Sequence, residues 1–175
     1  AVVDGRTLFW ANIRGSGAQA RLLKSGKNSR KIGSHVEKGM LAGVPIFTLT
    51  LEERATCPRS CTEWKTCYGN RTHWPLRIRP DDGLIPRLRA EVDALIAKRG
   101  RILVRLHVLG DFYSADYVAF WHGMLMAHAG LYIFGYTARR DDDIAHAIGM
   151  MNTHTRCAIR ASDGATGTFR SIVVD

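Results

Sequence analysis

Predicted strands and helices alternate along the second half of the chain, and this alternation limits the folds that the chain can adopt. Apolar residues recur at helical spacing over 84–98, whereas apolar and polar residues alternate over 102–109. Further elements are predicted, in order, as a helix over 114–130, a strand over 131–137, a helix over 141–151 and a strand over 157–161. Together with a strand over 45–51, these elements form right-handed βαβ units. The predicted fold class is α/β, with parallel βαβ units forming a partial (β/α) barrel or an open parallel sheet.

The amino-terminal quarter of the chain differs in composition from the rest. Residues 1–43 are rich in Gly and Ser, with basic residues spread over 21–38. We expect residues 21–38 to be a mobile arm or a solvated loop that contacts phosphates, or else a loop that closes one end of the barrel or sheet. Residues 7–10 have the composition of a short strand. The chain is therefore divided into a basic segment, 1–43, and an α/β metal- or cluster-binding domain, 44–175, which together form one structural unit.

The charge balance indicates the kind of partner that the chain can bind. The 25 Lys and Arg against 16 Asp and Glu give a formal net charge of +9, which favours a polyanion, most simply nucleic acid. Arg139 and Arg140 are candidate contacts for it, and a solubilising, solvated surface is the alternative. No apolar run approaches the ~20 residues that span a bilayer, and no signal peptide opens the sequence. We expect a cytoplasmic protein without membrane association, and, because the chain opens without Met, a fragment or a processed chain.

Three of the four cysteines lie close together, as Cys57-x3-Cys61-x5-Cys67. They follow the first strand of the α/β domain, at the carboxyl end where such folds usually place their chemistry. Three clustered thiols in a chain without an export signal indicate a metal site rather than disulfides. Zinc needs a fourth ligand, from Cys157 or His73, whereas a four-iron four-sulfur cluster can be held by three cysteines with one iron left open. Buried thiols without a metal are the remaining alternative.

Polar residues on the later strands are candidates for a second part of the site. Alternation places Arg105 and His107 on one face of their strand, pointing toward Asp111. His107 is a candidate metal ligand or general acid/base, or else a hydrogen-bonded core histidine. A buried Arg105 needs an anion, supplied by Asp111 or by a bound carboxylate or phosphate, and Arg160 is a second candidate for binding such a group. Tyr136 ends the next strand at the same edge of the sheet.

Several short motifs occur in a fixed order along the chain. They are Asn28-Ser-Arg-Lys-Ile-Gly33, Thr56-Cys-Pro, Cys67-Tyr68, Gly110-Asp-Phe and Phe134-x-Tyr136-Thr137. Over residues 25–162 this order resembles the phage "gene product eighty-eight" family of phage- and plasmid-borne proteins. The resemblance implies a mobile-element protein that acts in the host cytoplasm. It implies no particular reaction, because the family has no settled biochemical activity.

The motif order also resembles the front half of a radical S-adenosylmethionine (SAM) enzyme. That resemblance implies that Cys57, Cys61 and Cys67 hold a four-iron four-sulfur cluster whose open iron binds the amino acid end of SAM. It also implies that Gly110 and Asp111 replace the Gly-Gly-Glu element that contacts the SAM amino group. The chain departs from the usual pattern in its x5 spacing, in a leucine at one glycine position and in a tyrosine that follows the last cysteine.

Two functions are consistent with these patterns. The first is a radical-SAM-like iron–sulfur enzyme in which Arg105, His107 and Asp111 surround the open iron as catalytic residues. The residues expected to contact the cofactor are Gly110, Asp111, Tyr136 and Arg160. The second is a basic nucleic-acid-binding module without catalytic activity, in which zinc shapes the cysteine loop and the affinity falls steeply with salt.

Overall fold

A computed structural model describes residues 9–29 and 31–162 of the chain. Within these residues the strands are β1 (Ile13–Arg14), β2 (Lys24–Ser25), β3 (Ile46–Leu49), β4 (Arg77–Ile78), β5 (Ile102–Leu106), β6 (Leu131–Thr137) and β7 (Cys157–Ala161). The α-helices are α1 (Glu53–Thr56), α2 (Leu84–Arg99), α3 (Ala115–Ala127) and α4 (Asp143–Met151). None of these helices is long and apolar enough to cross a membrane.

Helix ends follow from the local sequence. α3 begins after Ser114, whose hydroxyl accepts a hydrogen bond from the Tyr117 N–H (3.1 Å). Asp142 caps α4 in the same way, accepting from the Ala145 N–H (2.7 Å). α2 is followed by Gly100 with φ +74°, a conformation in which a glycine commonly ends a helix. The last two predicted strands coincide with β6 and β7.

The main sheet is open and mostly parallel, with the strand order β2-β3-β5-β6-β7. Strands β3, β5, β6 and β7 are parallel, and β2 joins β3 antiparallel at one edge. Each parallel strand lies beside the next strand of this sheet along the chain, with α2, α3 and α4 in the connections. The predicted α/β class is therefore confirmed. β1 and β4 form a separate parallel pair.

One face of the main sheet carries the hydrophobic core. Leu49, Leu106 and Ile159 are in register on this face, and Val104 and Ile133 lie two residues earlier on their strands. All five are buried. They belong to one cluster with buried residues of three helices, namely Leu88, Val92, Trp121, Met124, Ile148 and Met151. Helices α2, α3 and α4 therefore cover this face of the sheet.

The opposite face of the sheet lies outside this core. On β3 its residues Ile46 and Thr48 are buried. We call the part of this face on β5, β6 and β7 the open face, and its residues are Leu103, Arg105, Tyr132, Phe134, Tyr136, Ala158 and Arg160. All of them are half-buried or exposed, and none belongs to the core cluster. Aromatic and basic side chains are therefore accessible on this side of the sheet.

Part of the basic segment is built into the main sheet. Leu22 and Leu23, which precede β2, are buried, and their N–H groups donate to the carboxylate of Glu91 on α2 (2.7 and 2.9 Å). Residues 24–25 thus add an antiparallel strand at the lateral edge of the sheet instead of a loop at its end, and apolar burial and two backbone donors hold the preceding residues in place. The strand expected over 7–10 is not formed at Trp10, which begins a 3-10 helix. The first two residues of that stretch lie outside the described residues, as does residue 30.

Gly135 on β6 occupies a position where the sheet leaves no room for a side chain. A Cβ atom there would lie 1.5 Å from the carbonyl oxygen of Leu106 on β5. We expect Gly135→Ala to lower the free energy of unfolding by at least about 3 kcal/mol, because the two strands must separate.

Gly123 of α3 provides the matched control, since nothing lies within 4 Å of its Cβ position. Gly123→Ala is expected to raise the free energy of unfolding by about 0.5–1 kcal/mol. Urea denaturation followed by circular dichroism measures both variants. Equal effects of the two substitutions would contradict the observed pairing of β5 and β6.

Candidate metal centre

The three clustered cysteines lie in a loop of turns between β3 and β4. We call residues 57–67 the cysteine loop. It begins at Cys57, which ends α1, and it turns at Pro58, whose carbonyl oxygen accepts from the Cys61 N–H (3.1 Å). It ends at Cys67, which precedes a 3-10 helix. Since α1 follows β3 after only three residues, the predicted position beyond the carboxyl end of a parallel strand is confirmed.

A buried arginine on β4 connects the two ends of this region. Arg77 is 0% exposed, and its Nε donates to both carboxylate oxygens of Glu53 on α1 (3.1 and 2.8 Å). Its terminal nitrogens donate to the carbonyl oxygens of Gly69 (3.1 Å), Thr72 (2.7 Å) and Pro75 (3.1 Å). One guanidinium therefore fixes α1 against the chain that follows the cysteine loop. The sequence pattern does not reveal this residue, because a two-residue strand has no periodicity.

A second buried arginine contacts the cysteine loop. Arg54 of α1 is 4% exposed and donates from Nη2 to Oδ1 of Asn70. Its guanidinium carbon lies 4.3 Å from the centre of the Trp64 ring. Burial raises the pKa of Cys67, and the charge of Arg54 acts in the opposite direction. Arg54 therefore supplies positive charge close to one of the three thiols.

The three thiols lie close enough for their charges to interact. Burial raises the pKa of Cys57 well above its ordinary value, and the charges of Asp111, Cys61 and Cys67 raise it further. The pKa values of Cys61 and Cys67 are also raised, chiefly by burial. On their own the three thiols are therefore neutral near pH 7. A cation placed among them would reverse this effect and favour the thiolates.

The predicted zinc ligands do not form a preassembled site. Cys157 begins β7 on the core side of the sheet, in register with Ile133. The prediction of Cys157 as a fourth ligand is wrong, because Cys157 lies at the amino end of the parallel strands and the cysteine loop lies beyond their carboxyl end. His73 lies before β4, with its ring centre 5.3 Å from that of Trp74. Among residues 9–29 and 31–162, no group of three or more Cys, His, Asp or Glu side chains is arranged to hold a metal ion.

Gly110 lies in the loop between β5 and α3, where the chain passes close to the residues before the cysteine loop. It has φ +87°, and a Cβ atom there would lie 2.7 Å from both the Cβ of Leu51 and the Oγ1 of Thr56. The backbone angle and the close contact both require glycine. Packing therefore accounts for Gly110, and its predicted contact with a cofactor stays a prediction.

Asp111 is 2% exposed and joins the loop after β5 to the end of β6. Its Oδ1 accepts from the Phe112 N–H (2.8 Å) and the Thr137 hydroxyl (2.7 Å), and its Oδ2 accepts from the Ala138 N–H (2.7 Å). Burial raises the pKa of Asp111 to about 6, although these hydrogen bonds favour the charged form. The predicted pairing of Asp111 with Arg105 is wrong, because the donors to this carboxylate come from the loop after β5 and from the end of β6 instead.

Arg139 connects three segments around the cysteine loop. Its Nε donates to the Phe112 carbonyl oxygen (2.8 Å), and its Nη2 donates to the Thr56 carbonyl oxygen (2.9 Å). Its Nη1 lies 3.4 Å from the carboxylate of Asp142 at the start of α4. Arg139 is therefore neither a polyanion contact nor a solvated side chain, and both expectations for it are wrong. It is an internal link, which a charge pattern in the sequence cannot indicate.

His107 lies on the core side of β5 and not beside Arg105. β5 ends at Leu106, so the alternation that was predicted through position 107 stops before it. The His107 ring is 5.0 Å from that of Phe112, and its Nε2 lies 2.9 Å from the Tyr117 hydroxyl oxygen. Burial lowers the pKa of His107 to about 3. The predicted shared face is wrong, and the hydrogen-bonded core histidine is the alternative that the structure matches.

The open face brings together three of the predicted residues. Tyr136 and Arg160 are in register on β6 and β7, and the guanidinium carbon of Arg105 lies 5.8 Å from the centre of the Tyr136 ring. Arg105 is half-buried, its Nε has no hydrogen-bond partner, and it has no ion pair within the described residues. Tyr68, the residue after the cysteine loop, is 55% exposed. Partial burial raises its pKa and the charge of Arg105 lowers it, so Arg105 lies within electrostatic range of the end of the loop.

Comparisons with known proteins provide no relative from which a role could be transferred. No protein-family model, no curated protein and no solved structure matches the chain. The resemblances to the phage family and to radical SAM enzymes therefore stay predictions from motifs. The functional argument depends on the residues described above.

The buried pair of Arg77 and Glu53 yields a prediction for stability. Arg77→Met removes the buried positive charge beside the Glu53 carboxylate and a donor to three carbonyl oxygens, so we expect the free energy of unfolding to fall by about 3–5 kcal/mol. Arg99→Met is the matched control, because Arg99 is exposed at the end of α2, and it should change stability by less than about 1 kcal/mol. Chemical denaturation measures both, and a small effect of Arg77→Met would show that the ion pair does not anchor the loop.

The buried His107 yields a prediction for pH dependence. The unfolded chain protonates this residue below its ordinary pKa of 6.5, but the folded chain does so only near 3, so acidification favours unfolding. Between pH 7 and pH 5 this contribution amounts to about 2 kcal/mol. Asp111 acts in the opposite sense, because its raised pKa of about 6 stabilises the folded state as the pH falls.

The measurement is therefore the difference in unfolding free energy between the wild type and His107→Gln. This difference should shift in favour of the variant by about 2 kcal/mol between pH 7 and pH 5. The contribution of Asp111 to the unfolding free energy is the same in both proteins, so it cancels in the difference. A difference that is independent of pH would contradict the assigned burial of a neutral imidazole.

Proposed function

We propose that the cysteine loop binds a thiophilic metal centre through Cys57, Cys61 and Cys67. The observation that carries the proposal is the placement of three half-buried thiols in one short loop, where the charges of Cys61 and Cys67 raise the pKa of Cys57 and the charge of Cys67 raises the pKa of Cys61. A soft cation or a cluster removes that repulsion and takes thiolates as its preferred ligands. The donor set fits an iron–sulfur cluster or zinc.

The surroundings of the loop support rearrangement around a metal. Arg54 and Arg77 fix the chain on the two sides of the loop, whereas the backbone hydrogen bonds within the loop span single turns. The thiols can therefore approach one another without disturbing the sheet. The binding free energy of the metal would include this ordering of the loop.

The number of thiolates favours a four-iron four-sulfur cluster. Cys157 lies at the other end of the sheet, so the loop offers three thiolates. A cluster held by three thiolates leaves one iron open for a further ligand. Zinc takes four ligands, and His73 would have to supply the fourth. The cluster is therefore the first proposal and zinc the second.

The open face supports an anionic ligand next to that centre. Arg105 lies against Tyr136 and lacks an ion pair within residues 9–29 and 31–162, and Arg160 is in register with Tyr136. A carboxylate such as that of SAM matches this arrangement. Asp111 and His107 are buried and hydrogen-bonded, and in this proposal they position the site without contacting the cofactor.

The resulting proposal is a radical-SAM-like iron–sulfur protein of a phage or plasmid, acting in the host cytoplasm. The alternative is a basic nucleic-acid-binding module that zinc stabilises. Purification without oxygen, an absorbance spectrum and analysis of iron, sulfide and zinc distinguish them. Iron and sulfide with broad absorbance near ~400 nm support the cluster, and about one zinc per colourless chain supports the alternative. A chain that binds neither after reconstitution would overturn both, and a loaded cluster that fails to bind SAM would remove SAM from the proposal.

Single substitutions test the three ligands. Cys57→Ser, Cys61→Ser and Cys67→Ser should each reduce metal affinity by at least about tenfold, because a neutral hydroxyl replaces a thiolate. Cys157→Ser is the matched control and should retain the full metal content. Metal analysis after dialysis against a chelator, with circular dichroism to monitor folding, measures all four. An equal loss from Cys157→Ser would contradict the assignment of the ligands.

A further inference from the structure

A pocket of about 770 Å³ lies beside α1, outside the cysteine loop. Its volume is within the range of small-molecule sites. Its lining includes Trp10, Ile13, Glu52, Arg79, Pro80 and Tyr113. None of these is a proposed metal ligand or an open-face residue. The pocket is therefore a separate candidate site.

A buried carboxylate lines this pocket. The side chain of Glu52 is 7% exposed, and its backbone N–H donates to the Ile78 carbonyl oxygen (3.0 Å), which fixes it beside β4. The Nε of Arg79 donates to the Glu52 carboxylate over 3.4 Å, and the side chain of Arg79 is 60% exposed. Within the described part of the chain no other donor reaches this carboxylate. A buried acceptor with unused capacity therefore lies in the pocket.

Two aromatic rings line the same pocket. Trp10 is 76% exposed, whereas Tyr113 is half-buried and stacked on Tyr117, with 4.6 Å between ring centres and 25° between planes. Tyr117 is itself fully buried, so the ring of Tyr113 is held in a fixed orientation. An exposed indole and a fixed phenol provide surfaces on which a planar ring can stack.

We propose that this pocket binds a guanine base, carried by a nucleotide or by a single strand of nucleic acid. Guanine presents N1–H and N2–H donors side by side on its Watson–Crick edge, and the Glu52 carboxylate accepts both. Trp10 and Tyr113 contact the face of the base. Arg79, exposed at the pocket, contacts a phosphate.

Charge and hydrogen-bond chemistry favour guanine over other planar ligands. The net charge of +9 and the guanidinium of Arg79 disfavour a free cation in this pocket and attract phosphates. The corresponding edges of adenine and cytosine pair one amino donor with a ring acceptor, which would face the carboxylate unfavourably. Thymine has a single donor between two acceptors. A preference for guanine is therefore the specific consequence of Glu52.

The test compares short single-stranded oligothymidylates that differ in one central base, by fluorescence anisotropy with the full chain. Guanine should bind at least about tenfold more tightly than adenine, and inosine, which lacks the N2 amino group, should fall between them. Guanosine monophosphate, measured by calorimetry, distinguishes the source of the base. An affinity similar to that of the guanine oligonucleotide indicates a nucleotide ligand, and a much lower affinity indicates a strand.

Variants assign the preference to the pocket. Glu52→Gln should remove the preference for guanine over adenine while leaving the affinity for plain oligothymidylate unchanged. Trp10→Ala should weaken binding of every guanine- or adenine-containing strand by about tenfold. Trp74→Ala is the matched control, because Trp74 is 74% exposed and lies outside the pocket lining, and its effect should be small.

Equal affinities of the wild type for the guanine, inosine and adenine strands would overturn the proposal, whether or not any variant folds. An effect of Trp74→Ala as large as that of Trp10→Ala would also overturn it. The proposal does not depend on a metal in the cysteine loop. Substitution of Cys57, Cys61 or Cys67 should leave the guanine preference intact, so the two proposals can fail separately.

Discussion

The ion pair between Arg77 and Glu53 is the interaction on which the candidate site depends. Both side chains are buried, and taking two charges out of water costs several kcal/mol per ion unless each finds full compensation. Here the carboxylate accepts two contacts from Nε, and three carbonyl oxygens on the far side of the cysteine loop accept from the two terminal nitrogens. Because one guanidinium contacts both α1 and the chain after the loop, the cysteine loop is anchored at its two ends, with the three thiols in the stretch between these anchors.

The loops at the carboxyl end of the sheet provide a second anchor of the same kind. Asp111 accepts hydrogen bonds from its own loop and from the end of β6, and Arg139 donates to the carbonyl oxygens of Phe112 in that loop and of Thr56 in α1. Gly110 allows the close approach that these contacts need. The result is a rigid surrounding structure with one adaptable loop. That combination suits a metal centre, since the ligands can adjust while their supports stay fixed.

Long periodic elements could be predicted from the sequence, and short or aperiodic ones could not. β6, β7 and the three long helices follow from apolar spacing and from caps such as Ser114. β4 has two residues and no period, so Arg77 could not be recognised as an anchor. The alternating pattern puts His107 on the wrong face because the strand ends at Leu106, three residues earlier than that pattern suggests. Cys157 begins a predicted parallel strand, so the sequence alone indicates that it lies at the amino end of the strands. The cysteine loop lies at their carboxyl end.

The central claim is that three thiolates from one loop hold a metal centre, and X-ray absorption at the metal edge tests it most directly. We expect a sulfur shell at about 2.3 Å around iron or zinc in the purified chain. This shell should lose sulfur in Cys61→Ser and remain unchanged in Cys157→Ser. A first shell of only nitrogen and oxygen at about 2.0–2.1 Å would contradict the claim, because the metal would then be bound without the cysteine loop.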